Sequence, residues 1–290
     1  MEDNITEAAT KRWSSVRSAR TAQVMTALVR HLHGFAREVE LTEQEWLAGI
    51  QWITALGAFS DEKRIEAILA SDVFGLSMLV VELNNRLFTG ATPPTVLGPF
   101  HIEGSPAVPF GHDMSDGLPG TPLFITGKVV DLAGNPLAGA VLDIWQADAQ
   151  GVYEAQLGEV DEARLRAKYQ SREDGSYCVR TIAPIGYSVP LDGPVGSLVS
   201  SAGLTGERPA HIHFMLEHPG CARLITHLFP AGTPYLDQDA VFGVKDELVV
   251  PFVEQPAGPT PDGGSLDRPW LLAEYHFVLA PSVDDRGFSR

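Results

Sequence analysis

The sequence predicts a mainly β protein: an antiparallel β-sandwich preceded by an N-terminal helical domain. Three observations predict it. Apolar residues recur at helical spacing up to about Leu87, β-branched runs broken by Gly and Pro take over beyond residue 90, and the many short strands are separated by turns. Such spacing favours a sandwich over a parallel α/β sheet. The change of pattern divides residues 1–100 from residues 101–290.

From Ala19, the residues Val24, Leu28, Leu32 and Phe35 follow at intervals of three and four, one face of a helix, with Gly34 near its end. Thr42 followed by Glu45 forms a capping box, and Trp46, Ile50 and Ile53 continue the stripe. Ser60, Asp61 and Glu62 open a third helix with an acidic first turn, which suits the helix dipole. Ile65, Ile68, Leu69, Leu76, Leu79, Val80 and Leu83 give it a long apolar face, with a break around residues 71–75. Residues 123–131 form the first strand, DLAGNP at 131–136 is turn chemistry, and residues 140–146 return as the next strand. Further strands are expected over 177–182, 210–217, 224–229, 247–252 and 271–279. The Pro- and Gly-rich stretch 255–267 is a surface excursion.

With 290 residues, 44% of them hydrophobic and 20% charged, the chain can bury a large core. Its 21 basic and 37 acidic residues give a net charge of −16, and no basic run offsets it. That disfavours nucleic acid and anionic membrane surfaces as partners. Cys178 and Cys221 are far apart, which excludes a disulfide framework and paired thiolate metal sites. The first residues, MEDNITEAATKRW, lack the apolar core of a signal peptide, and no run approaches the ~20 apolar residues that span a bilayer. The expected location is the cytoplasm.

The sharpest local feature is RPAHIHF at 208–214. On a strand His211 and His213 point one way, Ile212 and Phe214 the other, so two imidazoles can reach one metal ion. Half-buried histidines bonded to neighbours show the same spacing, and imidazole suits zinc, iron, copper and nickel alike. Two tyrosines occupy unusual positions: Tyr153 in DAQGVY after a strand, and Tyr187 in the loop IGYSVP. By type alone each is equally an amphipathic ring with a wet hydroxyl.

The combination resembles a known family. RPAHIHF, YSVPLDGPVG upstream of it and GKVVDLAGNPLAGAVLDIWQADAQGVY before that are similar to the intradiol ring-cleaving dioxygenases. The resemblance runs from about Arg20 to about Phe252. It implies a ferric centre, Fe(III), held by Tyr153, Tyr187, His211 and His213, with Tyr177 an aromatic that is not a ligand. Hard anionic phenolates stabilise iron(III), and the metal lowers the pKa of a bound diol hydroxyl. The resemblance further implies that Tyr187 is displaced by the diol and takes its proton, that Arg208 places a cation near the developing ring charge, and that His227 is catalytic. It also implies O2 as co-substrate and a homodimer through the N-terminal helices, with a lipid between them.

His227 in LITHLF, LGPFH at 97–101 and YLDQDAVFGVK at 235–245 resemble the hydroxyquinol (1,2,4-trihydroxybenzene) branch. LASDV at 69–73 resembles that branch's pocket helix, in which Asp72 would accept a hydrogen bond from the third hydroxyl. The implied substrate pocket is Leu69, Asp72, Val96, Leu97, Gly98, Pro99, Phe100, Val189, Pro190, Arg208 and Val241. Val189 departs from the family's usual Ile, and Gly186 stands where a bulkier residue is common; both changes would widen the pocket. Alternatives are a catechol or chlorocatechol 1,2-dioxygenase, a non-catalytic transthyretin-like sandwich that binds an aromatic, and a zinc hydrolase, for which two tyrosines are poor ligands.

Overall fold

Helices fill the N-terminal part and sheets the rest in the computed structural model, which describes residues 2–61, 64–85, 88–158 and 162–282. Glu62 and Leu87, both assigned to helix from the sequence, lie outside the described residues. The first five helices are α1 (Glu2–Ser14), α2 (Ala19–Glu38), α3 (Glu43–Ala58), α4 (Glu66–Val73) and α5 (Leu76–Asn85). Helix α1 carries few apolar residues, so no stripe announced it. The capping box forms at α3: Thr42 N donates to Glu45 Oε2 at 2.9 Å and Glu45 N donates to Thr42 Oγ1 at 3.2 Å.

The third predicted helix starts later than expected, at Glu66. Ser60 Oγ instead bridges two helices, donating to Leu56 O and accepting from Glu66 N. The expected break is real: Gly75 adopts φ +70° between α4 and α5, a conformation that glycine takes at low cost.

The chain parts into two compact units, Met1–Ala55 and Leu56–Arg290. The boundary expected at residue 100 marks the change from helix to sheet. Helix α4 belongs to the second unit, because buried Glu66 accepts a hydrogen bond from Val195 N on Oε1. Within the first unit α1 packs on α2, yet Val24, Leu28, Leu32 and Phe35 remain 45, 46, 55 and 54% exposed.

The second unit holds β1 (Pro122–Asp131), β2 (Val141–Trp145), β3 (Arg166–Gln170), β4 (Ser176–Ile182), β5 (Tyr187–Ser188), helix α6 (Pro194–Ser201), β6 (Glu207–Arg208), β7 (Ile212–Glu217) and β8 (Leu224–Pro230). After these come β9 (Val249–Val250), β10 (Val253–Gln255), β11 (Gly258–Pro259), β12 (Ser265–Leu266), β13 (Trp270–Glu274) and β14 (Phe277–Leu279). One sheet runs β10-β13-β1-β14 with β4 also on β1; the other runs β3-β2-β7-β8-β9. Leu123, Val179 and Phe277 from the first meet Ile144, Phe214 and Leu228 from the second in one apolar core.

The sheets are mixed, where wholly antiparallel ones were expected. Strand β1 is parallel to β13 and β14, and β8 is parallel to β9, because long excursions bring the later strands back in the same direction. The turn at 131–136 forms, with Ala133 N and Asn135 N donating to Asp131 Oδ1. It leads into the other sheet, since β2 pairs with β3 and β7 and does not return along β1. The strand expected over 271–279 is split at Tyr275, whose N donates to Thr126 O. A side chain at Gly127 would collide with Tyr275 O, so glycine permits the split. Within 255–267 the small β11-β12 hairpin forms.

Candidate metal centre

Strand register assembles the site. Across the second sheet Trp145 of β2 faces His213 of β7, and His213 faces His227 of β8. Ile212 and Phe214 turn into the core, so His211 and His213 share the opposite face, their ring centroids 4.9 Å apart. Tyr153 enters from the loop after β2. Its Oη lies 3.1 Å from His211 Nε2 and 2.9 Å from His213 Nε2. The Tyr187 ring stands edge-on to that of Tyr153 at 5.4 Å and tilted to that of His211 at 5.5 Å. Two imidazole nitrogens and two phenols therefore converge, the four residues taken from the sequence as metal ligands.

The loop carrying Tyr153 is firmly held. Tyr153 N donates to Gln156 Oε1, Phe100 stacks on the ring at 4.7 Å, and neighbouring Glu154 is held by Arg166. Asp148 Oδ2 receives Arg164 Nη2 at 2.8 Å. Tyr187 is only half-buried, and its hydroxyl meets Arg208 Nη1 at 3.5 Å. Tyr177 sits elsewhere, in the core, donating to Tyr275 O at 2.8 Å.

Arg208 is buried and clamped by Asp239, with Nε to Oδ1 at 2.9 Å and Nη2 to Oδ2 at 3.3 Å. Burial alone would weaken its charge, but Asp239 more than compensates and raises its pKa. Burial would likewise raise Asp239, yet the Arg208 charge and bonds hold it below the usual carboxylate range. Arg208 Nη1 also lies 3.2 Å from His211 Nε2. Asp239 was not singled out from the sequence; an acid 31 residues from its arginine leaves no local signal.

Burial, then the Arg208 charge, pushes His211 down to about 3, and burial holds His213 and His227 well below the usual imidazole value. These rings stay neutral, and His211 and His213 keep lone pairs for a cation. Burial raises Tyr153 well above the usual phenol value, and Tyr187 adds to it. A cation bound among them would supply the charge that ionises such a phenol. Hard oxygen donors beside imidazoles fit a hard, high-valent metal ion.

Ligand-capable atoms of His211, His213 and His227 lie within 4.8 Å of one another. His227 is fully buried and does not face the phenols: its Nε2 meets His213 Nδ1 at 2.7 Å and its Nδ1 meets Thr95 Oγ1 at 2.6 Å. Both ring nitrogens are thus engaged, one by His213 and one by Thr95.

The remaining predicted pocket residues are arranged as follows. Asp72 is 2% exposed, its pKa raised by burial, and it feels the Arg208 charge; among the described residues its Oδ1 has no hydrogen-bond partner. Leu69 lies one turn earlier on the same face of α4 and is buried. Gly98, at φ +75°, approaches His213 so closely that a Cβ would stand 3.3 Å from its Cε1. Val96, Phe100, Val189 and Val241 are buried, Pro99 and Pro190 are partly covered, and Leu97 is 38% exposed. Val241 N donates to Asp239 Oδ1, linking that residue to the arginine clamp. Gly186 does not widen the pocket: a Cβ there would meet Arg208 O at 2.8 Å, so glycine serves the close pairing of β5 and β6.

The family described as "Dioxygenase" matches residues 97–279, and that described as "Catechol dioxygenase N terminus" matches residues 18–92. The chain is 49% identical over 282 residues to a protein named 6-chlorohydroxyquinol 1,2-dioxygenase from Cupriavidus pinatubonensis, covering 97% of this chain and 98% of the relative. It is 44% identical over 282 residues to one named hydroxyquinol 1,2-dioxygenase from Nocardioides simplex, covering 97% and 96%. The solved structure of hydroxyquinol 1,2-dioxygenase from Pseudomonas putida superposes with a TM-score of 0.90 at 44% identity, covering 97% of this chain and 99% of that one.

Proposed function

The chain belongs to the intradiol ring-cleaving dioxygenases, oxidoreductases close to the hydroxyquinol 1,2-dioxygenases, and from that premise we propose that it cleaves hydroxyquinol between adjacent hydroxyls at a ferric centre. Hydroxyquinol and O2 give 3-hydroxy-cis,cis-muconate, the enol of maleylacetate; both oxygen atoms enter the product, so no further reductant is consumed. The observation that carries the ferric site is the convergence of Tyr153 Oη with His211 Nε2 and His213 Nε2, beside Tyr187. The free Oδ1 of Asp72 supports the triol as substrate.

Ferric iron held by Tyr153, Tyr187, His211 and His213 would supply Lewis acidity toward the diol and make its ring susceptible to dioxygen. The chain's residues divide the remaining work. Tyr153, locked by Gln156 and Phe100, stays in place. Tyr187, whose hydroxyl meets Arg208 Nη1 at a long 3.5 Å, moves aside and takes a substrate proton at Oη. Arg208, fixed by Asp239, presents a permanent cation to the negative charge that develops on the ring. Asp72 accepts the third hydroxyl, while buried Val96, Val189 and Val241 exclude water.

A second copy of the chain covers the exposed stripe of α2, giving a homodimer, with a lipid accommodated between the helices. Among the described residues no helix is long and apolar enough to cross a membrane. The reading places the enzyme in the cytoplasm, where the free thiols of Cys178 and Cys221 stay reduced. The deciding experiment is turnover of hydroxyquinol under 18O2. Two labelled atoms in one ring-opened diacid support the assignment; a product lacking label, or no turnover of any diol by iron-loaded protein, overturns it.

A further inference from the structure

We infer that Thr95 and His227 form a tautomer lock that makes His213 competent to bind the metal, an inference that rests on His213 being a ligand. Three side chains lie in line: Thr95 Oγ1 to His227 Nδ1 at 2.6 Å, His227 Nε2 to His213 Nδ1 at 2.7 Å, then His213 Nε2 facing Tyr153 Oη. Exposures of 2, 0 and 1% for Thr95, His227 and His213 shield these contacts from bulk water. Each short contact needs one donor and one acceptor, so the hydrogens must run in a single direction along the line.

Only one direction permits metal binding. If His213 Nδ1–H donates to His227 Nε2, and His227 Nδ1–H donates to Thr95 Oγ1, then His213 Nε2 carries a free lone pair. In the reverse direction the Thr95 hydroxyl donates to His227, His227 Nε2–H donates to His213, and His213 Nε2 bears a hydrogen aimed at the site. The other imidazole needs no such device. His211 Nδ1 lies 2.7 Å from Pro209 O, and a carbonyl can only accept, so His211 Nε2 keeps its lone pair. Where His211 is fixed by a backbone carbonyl, His213 depends on a side-chain hydroxyl two steps away, which accepts in the metal-ready direction and donates in the other. Thr95 is in turn held in register by its N donating to Ile225 O at 2.8 Å, beside β8.

Thr95→Val keeps the shape but removes the terminal acceptor, leaving His227 Nδ1–H buried without a partner in the metal-ready direction. Loss of such outer-shell support lowers metal affinity by about 10–100-fold. The experiment compares iron loss to a chelator for wild type, T95V, T95S, H227Q, H227L and H213A, with ring-nitrogen NMR of the metal-free proteins. T95V and H227L should lose iron at least about tenfold faster than wild type. T95S, which restores a hydroxyl, and H227Q, whose amide oxygen can accept from His213, should retain it. NMR of metal-free T95V should show the hydrogen of His213 moved toward Nε2. Iron retention by T95V equal to wild type, with H213A losing its iron, overturns the lock while leaving His213 a ligand. Iron retention by H213A overturns the ligand reading itself. If H227Q loses iron as completely as H213A, His227 is a ligand and the lock is wrong.

Discussion

Replacing Asp72 by alanine removes a buried carboxylate oxygen that has no hydrogen-bond partner among the described residues. If that oxygen receives the third hydroxyl of hydroxyquinol, the bond is charge-assisted and worth ~1.5–3 kcal/mol. At ~1.36 kcal/mol per factor of ten, the hydroxyquinol-to-catechol ratio of kcat/KM should fall about 13- to 160-fold. The ratio isolates the bond, because any general disturbance of Arg208 by loss of the neighbouring charge acts on both substrates. Asp72→Asn, which keeps a neutral acceptor, should fall between alanine and wild type. Burial raises the Asp72 pKa, so the preference for hydroxyquinol should narrow as pH falls through that raised value. Stability runs the other way. A carboxyl whose folded pKa is raised contributes most below its unfolded value of ~3.9, and that contribution is lost as pH rises through the folded value. The asparagine variant should therefore melt higher than wild type at neutral pH while discriminating less. Steady-state kinetics on both substrates and thermal melts decide the matter. Equal losses for hydroxyquinol and catechol would refute the reasoning.

Asp239→Asn leaves Arg208 buried without its counter-charge, and breaking such a pair costs ~3–5 kcal/mol; thermal unfolding should show a drop of roughly 6–20 °C. Because Asp239 is held below the usual carboxylate range, the stability it confers is present above ~3.9 and lost as pH falls through its folded value, so the variant's melting temperature should vary less there. Tyr177→Phe, which removes only a bond to Tyr275 O in the core, should lower stability by about 1 kcal/mol and leave iron content and visible absorption unchanged; loss of iron would mean that Tyr177 holds the metal. Leu28→Glu with Leu32→Glu on the exposed stripe of α2 should turn a dimer into a monomer by sedimentation, and an unchanged oligomer would place the dimer contact elsewhere.

The His-x-His spacing was legible in the sequence by itself: the pair lies at β7, where alternation puts both imidazoles on one face. Tyr153 and Tyr187 carry no such local signal and entered through the family resemblance. The capping box of α3 and the stripe of α2 were legible for the same reason. What escaped reading depends on residues far apart in sequence. Thr95 meets His227 across 132 positions, Asp239 meets Arg208 across 31, and Glu66 meets Val195 across 129. The parallel pairing of β1 with β13 and β14 is likewise set by where the last strands return, which alternation within a strand does not encode. Strand β3, Arg-Ala-Lys-Tyr-Gln, alternates long polar side chains with buried Ala167 and Tyr169, too short a pattern to mark a strand by itself.

In the proposed centre Tyr153, Tyr187, His211 and His213 together hold ferric iron that binds the diol. The most direct measurement is the visible absorption spectrum of purified, metal-assayed protein, recorded without oxygen before and after adding hydroxyquinol. The expected result is one iron per chain, a broad phenolate-to-iron band that makes the protein wine-red, and a change in that band when the diol displaces Tyr187. Active protein with stoichiometric zinc and no visible band would contradict it.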